Sequence, residues 1–271
     1  KNWSTEWGGR TLSVEFGKLA QQTNASCTVR YGDTVILATA VMSKNTRDGI
    51  DYFPLSVEFE ERLYAAGKIK GSRFIKREGR PSDEAILTGR MIDRAIRPLF
   101  DDSMRNDIQV ILTALSVENE SDTQITAFIA ASLVLSVSNI PWAGPIGAAK
   151  VGRVDGSLIL NPTKEQKEKS DTEVVVAGTP EKVVMVEAGC NEVPEEDVIK
   201  AMRFGAGELK PVLEFINKIQ SEIGEEKIDI AGSKTEVDIE MEKVETEVKE
   251  LVASHVDDWI FDSKKVGRKE R

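Results

Sequence analysis

The chain is poor in the residues from which many active sites are built. Its 271 residues include one histidine, His255, on a C-terminal segment with helical periodicity, which argues against a histidine-based triad or a zinc centre. Two cysteines, Cys27 and Cys190, lie far apart and fit no metal-ligand spacing; both read as buried free thiols in a reducing compartment. No Gly-x4-Gly-Lys-Ser/Thr string occurs and no Gly-x-Gly-x-x-Gly run follows a strand, so a P-loop and a dinucleotide fingerprint are both missing. No apolar run approaches the roughly 18 residues that a membrane span needs, and no signal-peptide pattern is visible; the expected compartment is the cytoplasm, with no membrane partner. Positive charge is also short. Lysine and arginine number 36 against 46 acidic residues, a net charge of −10. Phosphates are then repelled at long range, which argues against nucleic-acid binding over the whole surface.

What positive charge there is gathers in one stretch. Residues 71–100 read GSRFIKREGRPSDEAILTGRMIDRAIRPLF and contain Arg73, Lys76, Arg77, Arg80, Arg90, Arg94 and Arg97. The first part is a glycine-bounded loop with Phe74 beside Lys76 and Arg77. The second part is helical by pattern. Ser82 is a good N-cap, Asp83 and Glu84 suit the positive end of the helix dipole, and Pro98 marks the end. Arg90, Arg94 and Arg97, spaced by four and then three, fall on one face, with Met91, Ile92, Ala95 and Ile96 on the other.

Along the chain, alternating apolar residues predict a strand at 12–16 and a hairpin of 25–30 with 34–41 across Tyr31-Gly32-Asp33. Further strands are predicted at 54–64 and 108–117, the latter apolar enough to be central. Residues 123–138 read as a buried helix. A hairpin of 151–154 with 158–160 follows across Asp155-Gly156, then strands at 172–178 and 183–188. Pro194 opens a long helix that Pro211 is expected to kink. Val237, Met241, Val244, Val248 and Leu251 again repeat at four and three, as in an amphipathic packing helix; the basic end 264–271 reads as a solvated tail. Hairpins outnumber strict strand–helix alternation, so the fold class is α/β (α+β) with a mixed sheet.

Among the carboxylates, Glu58, Glu60 and Glu61 read as a solvated strand face, and Asp122 and Asp171 as capping residues. The basic stretch offers more. Guanidinium groups on one helical face suit phosphate oxygens, which they bind with a planar pair of donors, and an aromatic among cations suits stacking on a nucleobase. A helix paired internally to Asp93 and neighbouring acids, with Phe74 in the core, accounts for the same residues. From the residues alone both readings stand open.

Several ordered strings go further. Residues 59–69 read FEERLYAAGKI, 74–82 FIKREGRPS and 90–100 RMIDRAIRPLF. They are joined by DYFPL at 51–55, GPIGAA at 144–149 with VG at 151–152, LNPT at 160–163 and VVAGT at 175–179. In this order they closely resemble the bacterial polynucleotide phosphorylase family, from about residue 8 to residue 215. The resemblance implies an RNase PH-like, ribosomal protein S5 domain 2-like mixed sheet with packed helices. It implies that residues 1–223 are the first RNase PH-like domain, 224–236 a linker, and 237–271 the start of an all-helical domain. In the family a second RNase PH-like domain, then KH and S1 domains, complete the protein.

The same resemblance implies a 3′-to-5′ exoribonuclease of RNA processing and mRNA degradation, working as a homotrimeric ring and within RNA-degrading complexes. Inorganic phosphate, bound in the second domain, cleaves single-stranded RNA to nucleoside diphosphates, reversibly and with magnesium (Mg2+). Phe74, Ile75, Lys76 and Arg77 match the family's Phe-Phe-Arg-Arg channel loop, with Ile75 in place of an aromatic and Lys76 in place of an arginine. Arg80, Arg90, Arg94 and Arg97 complete the implied RNA contacts; Ala95 stands where proline is usual. The catalytic Asp-x-Lys pair of the second domain corresponds here to Glu173-Val174-Val175, and the serine-rich phosphate turn to Asp122-Thr123-Gln124. No catalytic residue and no metal ligand is therefore assigned to this half. The alternative is a non-catalytic RNA-binding or scaffold subunit of an RNA-degrading ring. The missing Asp-x-Lys pattern counts against a single-domain RNase PH-type exonuclease.

Overall fold

The computed structural model of the chain describes residues 1–47, 49–69, 79–118, 123–229, 236–253 and 255–256. They fall into two compact units, residues 1–228 and 229–271. The first unit opens with β1 (Asn2–Trp7), β2 (Arg10–Phe16), β3 (Ala25–Tyr31) and β4 (Thr34–Thr46), each antiparallel to its predecessor. β5 (Leu55–Glu61) takes the far edge and β6 (Asn106–Ser116) inserts beside β4, giving the order β1-β2-β3-β4-β6-β5. β5 and β6 are parallel, so the chain must cross over between them, and it does so through helix α1 (Asp83–Ile96). That topology is what places the basic helix against the edge strand.

Helix α2 (Thr123–Val137) is buried throughout from Ile125 to Val137, as its uniformly apolar composition dictates. It packs on β3 and β4 and, on its other side, on a second sheet. This sheet comprises β7 (Gly147–Val154), β8 (Ser157–Leu160), β9 (Thr172–Gly178) and β10 (Val183–Cys190), antiparallel in the order β10-β9-β7-β8. A short helix, α3 (Lys164–Lys169), starts at a capping box of Thr163 and Gln166. Helices α4 (Glu195–Gly207) and α5 (Lys210–Ile223) close the unit. Gly205 lets α4 sit on the second sheet: a Cβ there would stand 2.9 Å from a Val151 methyl. Val151, Val174, Val176 and Ala201 form the core beneath it.

The structure corrects several sequence expectations. The expected mixed sheet is there, six-stranded, and a four-stranded antiparallel sheet accompanies it. β1 and α3 were not anticipated. The long kinked helix is two helices, broken at Glu208-Leu209, with Pro211 in the first turn of α5, where its missing N–H costs nothing. The indole N–H of Trp7 donates to the Glu208 carbonyl at that break, 2.9 Å. Cys27 is buried, and burial pushes its thiol pKa up, but Cys190 is exposed, because it ends the edge strand β10. Asp171 does not act as a cap. It takes both ends of a fork from Arg153, at 2.9 and 2.6 Å, while the same guanidinium reaches Asp197 on α4 at 2.8 Å. The Arg153 hydrogen bond holds the Asp171 carboxyl below its usual range; Asp197 is lowered first by Lys200 and then by Arg153.

Residues 224–228 fold back onto the C-terminal end of α2. Glu225 N–H donates to Val137 and Ile228 N–H to Asn139, both at 2.9 Å. The Lys227 ammonium donates to the carbonyls of Leu135, Ser136 and Ser138 at 2.7, 3.1 and 2.6 Å, satisfying groups that a helix end leaves open. In the second unit, α6 (Glu236–Ala253) exposes Met241, Val244, Val248 and Leu251. His255 follows, exposed, its Nδ1 3.2 Å from the Leu251 carbonyl oxygen. No helix of the described residues is long and apolar enough to cross a membrane.

Candidate nucleic-acid interface

The candidate site is built on α1 and the edge of β5. Ser82 caps the helix: its Oγ accepts from Ala85 N–H at 3.0 Å and its hydroxyl donates to Glu61 on β5 at 2.9 Å. Ala85, Thr88, Gly89, Met91, Ile92, Ala95 and Ile96 are buried. Gly89 allows the closest approach, since a Cβ would lie 3.1 Å from the Val57 carbonyl oxygen of β5. The indole N–H of Trp142 donates to Ile96 O at 3.1 Å, where the helix gives way to the 3₁₀ turn Arg97–Leu99.

The arginines that the four-and-three spacing groups together have different surroundings. Arg90 is exposed and forms no ion pair among the described residues. Arg94 donates to Glu187 of β10 at 2.8 Å, with both side chains more than half exposed, a pairing worth about 0–1 kcal/mol and easily exchanged for another anion. Arg97 is part-buried and held on several sides. It forks onto Asp93 at 3.0 and 2.9 Å, donates to the carbonyls of Phe53 and Leu55 at 3.2 and 3.1 Å, and stands 5.8 Å from the Phe53 ring centre. Arg97 keeps helical dihedrals as the C-cap of α1, and from there its side chain reaches the start of β5. Two guanidinium groups thus face solvent while the third ties the helix to the strand.

Arg80 is exposed and lines a groove of about 540 Å³ at the N-terminus of α1. Arg62 and Lys68 share this groove with Glu60, Glu61 and Ser82. Arg62 pairs with Glu60. Neither Arg62 nor Lys68 was singled out from the sequence, although both lie in the string FEERLYAAGKI; an isolated cation beside two glutamates carries no signal until the fold brings Arg80 alongside. Tyr64 is exposed in the turn between them. Phe74, Ile75, Lys76 and Arg77 lie outside the described residues, as does Asp122. At the position that corresponds to the family's catalytic lysine, Val175 is 4% exposed. Among the described residues no group of three or more His, Cys, Asp or Glu side chains could hold a metal ion. The site offers guanidinium and ammonium groups to anions, with Tyr64 exposed beside them.

Comparison with known proteins gives a consistent picture. Residues 8–141 match the 3′ exoribonuclease family, domain 1, and residues 144–208 match domain 2 of the same family. The polyribonucleotide nucleotidyltransferase of Heliobacterium modesticaldum is 51% identical over 256 residues, covering 94% of this chain and 35% of the relative. That of Halalkalibacterium halodurans is 49% identical over 253 residues, covering 92% of this chain and 36% of its own length. The chain thus spans about a third of the length of the curated relatives it matches. Among solved structures, rice (Oryza sativa) Rrp46 superposes with a TM-score of 0.62 at 16% identity, covering 76% of this chain and 94% of Rrp46, a likeness of fold.

Proposed function

The chain belongs to the 3′ exoribonuclease family, and from that membership we propose that it is the RNA-gripping first part of a polyribonucleotide nucleotidyltransferase. In the reaction so inferred, an oxygen of inorganic phosphate bonds to the terminal phosphorus of single-stranded RNA, the 3′ oxygen of the preceding nucleotide leaves, and a nucleoside diphosphate is released. This part grips the RNA, and the phosphate and the chemistry belong to a further domain. Phe74, Ile75, Lys76 and Arg77 handle the incoming strand and Arg80, Arg90 and Arg94 bind its phosphates; Arg97 serves the same surface by fixing the end of α1. The complete protein acts in the cytoplasm as a homotrimeric ring, in RNA processing and mRNA degradation. Magnesium, implied for the complete enzyme, meets no fitting donor cluster among the described residues.

The observation that carries this reading is the solvent-facing pair Arg90 and Arg94 on α1, the helix whose N-terminus borders a groove lined by Arg62, Lys68 and Arg80. It concentrates cations on a protein whose net charge is −10. Binding of a single-stranded oligoadenylate, titrated with salt, tests it. Arg77→Ala and Arg94→Ala are each expected to weaken binding and to lower the salt slope by about one unit. Unchanged affinity and slope would show that these arginines are structural.

A further inference from the structure

A buried lysine links the second sheet to the arginine helix. Lys150, in the middle of β7, is 3% exposed, and its register partner on β9 is Val175. Its ammonium stands 2.9 Å from Gln124 Oε1 on α2 and 2.9 Å from Glu173 Oε1 on β9. Gln124 in turn donates from Nε2 to the hydroxyl of Thr88 on α1, 3.2 Å. Thr88 is 1% exposed and lies one residue before Gly89, where α1 presses on β5, and two before Arg90. The Lys150 backbone is fixed as well: its N–H donates to Asn161 Oδ1 at 3.1 Å and its carbonyl accepts from Asn161 N–H at 2.7 Å. A chain of polar contacts therefore runs from the second sheet through α2 into the buried face of α1.

Burying an ammonium is costly, and its carboxylate partner Glu173 is 52% exposed, so the pair returns little of that cost. Stability gives little reason for a lysine here; a geometric constraint does. Among the described residues, the other polar ties of α1 are Ser82–Glu61 at its start, Arg97 and the Trp142 indole at its end, and the exposed Arg94–Glu187 pair, so Thr88–Gln124 is a buried polar link at mid-helix. We propose that Lys150 is a positioning residue which, through Gln124 and Thr88, sets the angle of α1 relative to the second sheet and so aims Arg90 and Arg94 at RNA. The proposal rests on the RNA-binding reading above.

The test combines Lys150→Met, Lys150→Arg and the double variant Arg90→Ala/Arg94→Ala in the full chain, with oligoadenylate as probe. Lys150→Met is expected to melt close to wild type yet bind the probe about tenfold more weakly, with Lys150→Arg restoring most of the affinity. In the Arg90→Ala/Arg94→Ala background, Lys150→Met is expected to add no further loss, because the effect passes through those arginines. Without RNA, amide exchange in residues 85–96 is expected to speed up by about tenfold in Lys150→Met while β1–β3 are unchanged. Gln124→Leu cuts the same link and serves if Lys150→Met does not fold. Unchanged exchange in α1, or additive losses of affinity, would overturn the positioning role. Full affinity in Arg90→Ala/Arg94→Ala would instead overturn the RNA reading, with the exchange measurement still deciding whether Lys150 holds α1.

Discussion

Arg97 and Arg90 carry the same guanidinium, yet a lysine is acceptable at only one of the two positions. At Arg97 the planar fork satisfies Asp93 and two backbone carbonyls at once, and a single ammonium cannot reach all of them. Arg97→Lys is expected to lower the stability measured in urea by about 1 kcal/mol through the unmet carbonyls, whereas Arg90→Lys leaves the urea midpoint unchanged. Equal effects at both positions would mean that the fork at Arg97 is incidental. The distinction could not be read from spacing. Four-and-three periodicity puts Arg97 on the face of Arg90 and Arg94, but only the fold brings the Phe53 and Leu55 carbonyls within its reach.

At the scale of elements, legibility followed the range of the interactions. Hairpins closed by Gly-containing turns, the apolar helix α2 and the Ser82 cap depend on neighbours in sequence, and the structure has them where the pattern places them. The break between α4 and α5 depends on Trp7, and the partner of Asp171 is Arg153 on another strand; no local pattern encodes either. The same holds for Arg62 and Lys68, which join Arg80 only through the fold. The Arg153 staple across β7, β9 and α4 has a consequence for pH. Because the carboxyl of Asp171 is held below its usual value, its contribution to stability is complete above the ordinary carboxylate range near pH 4 and is lost as pH falls through the lowered value. The difference in melting temperature between wild type and Arg153→Met is therefore expected to be widest near neutrality and to narrow below about pH 4. A constant difference between pH 7 and pH 3 would remove Asp171 from the account.

At the scale of the whole molecule, the chain spans about a third of its relatives' length, and the proposed division of labour gives it the grip and leaves the chemistry to a further domain. Incubated alone with poly(A), inorganic phosphate and magnesium, it is expected to release no nucleoside diphosphate while still retaining the labelled polymer on a filter. Sustained release by this chain would place the chemistry here despite Val175. Filter retention can then be followed optically, because the fold carries its own reporters. The indole N–H groups of Trp3, Trp7 and Trp142 are lodged against Glu222, Glu208 and Ile96, each at a seam between segments distant in sequence. Trp142, 7% exposed, sits one residue from the arginine that anchors α1. Its emission wavelength is a built-in gauge of whether that helix stays seated when a polyanion arrives.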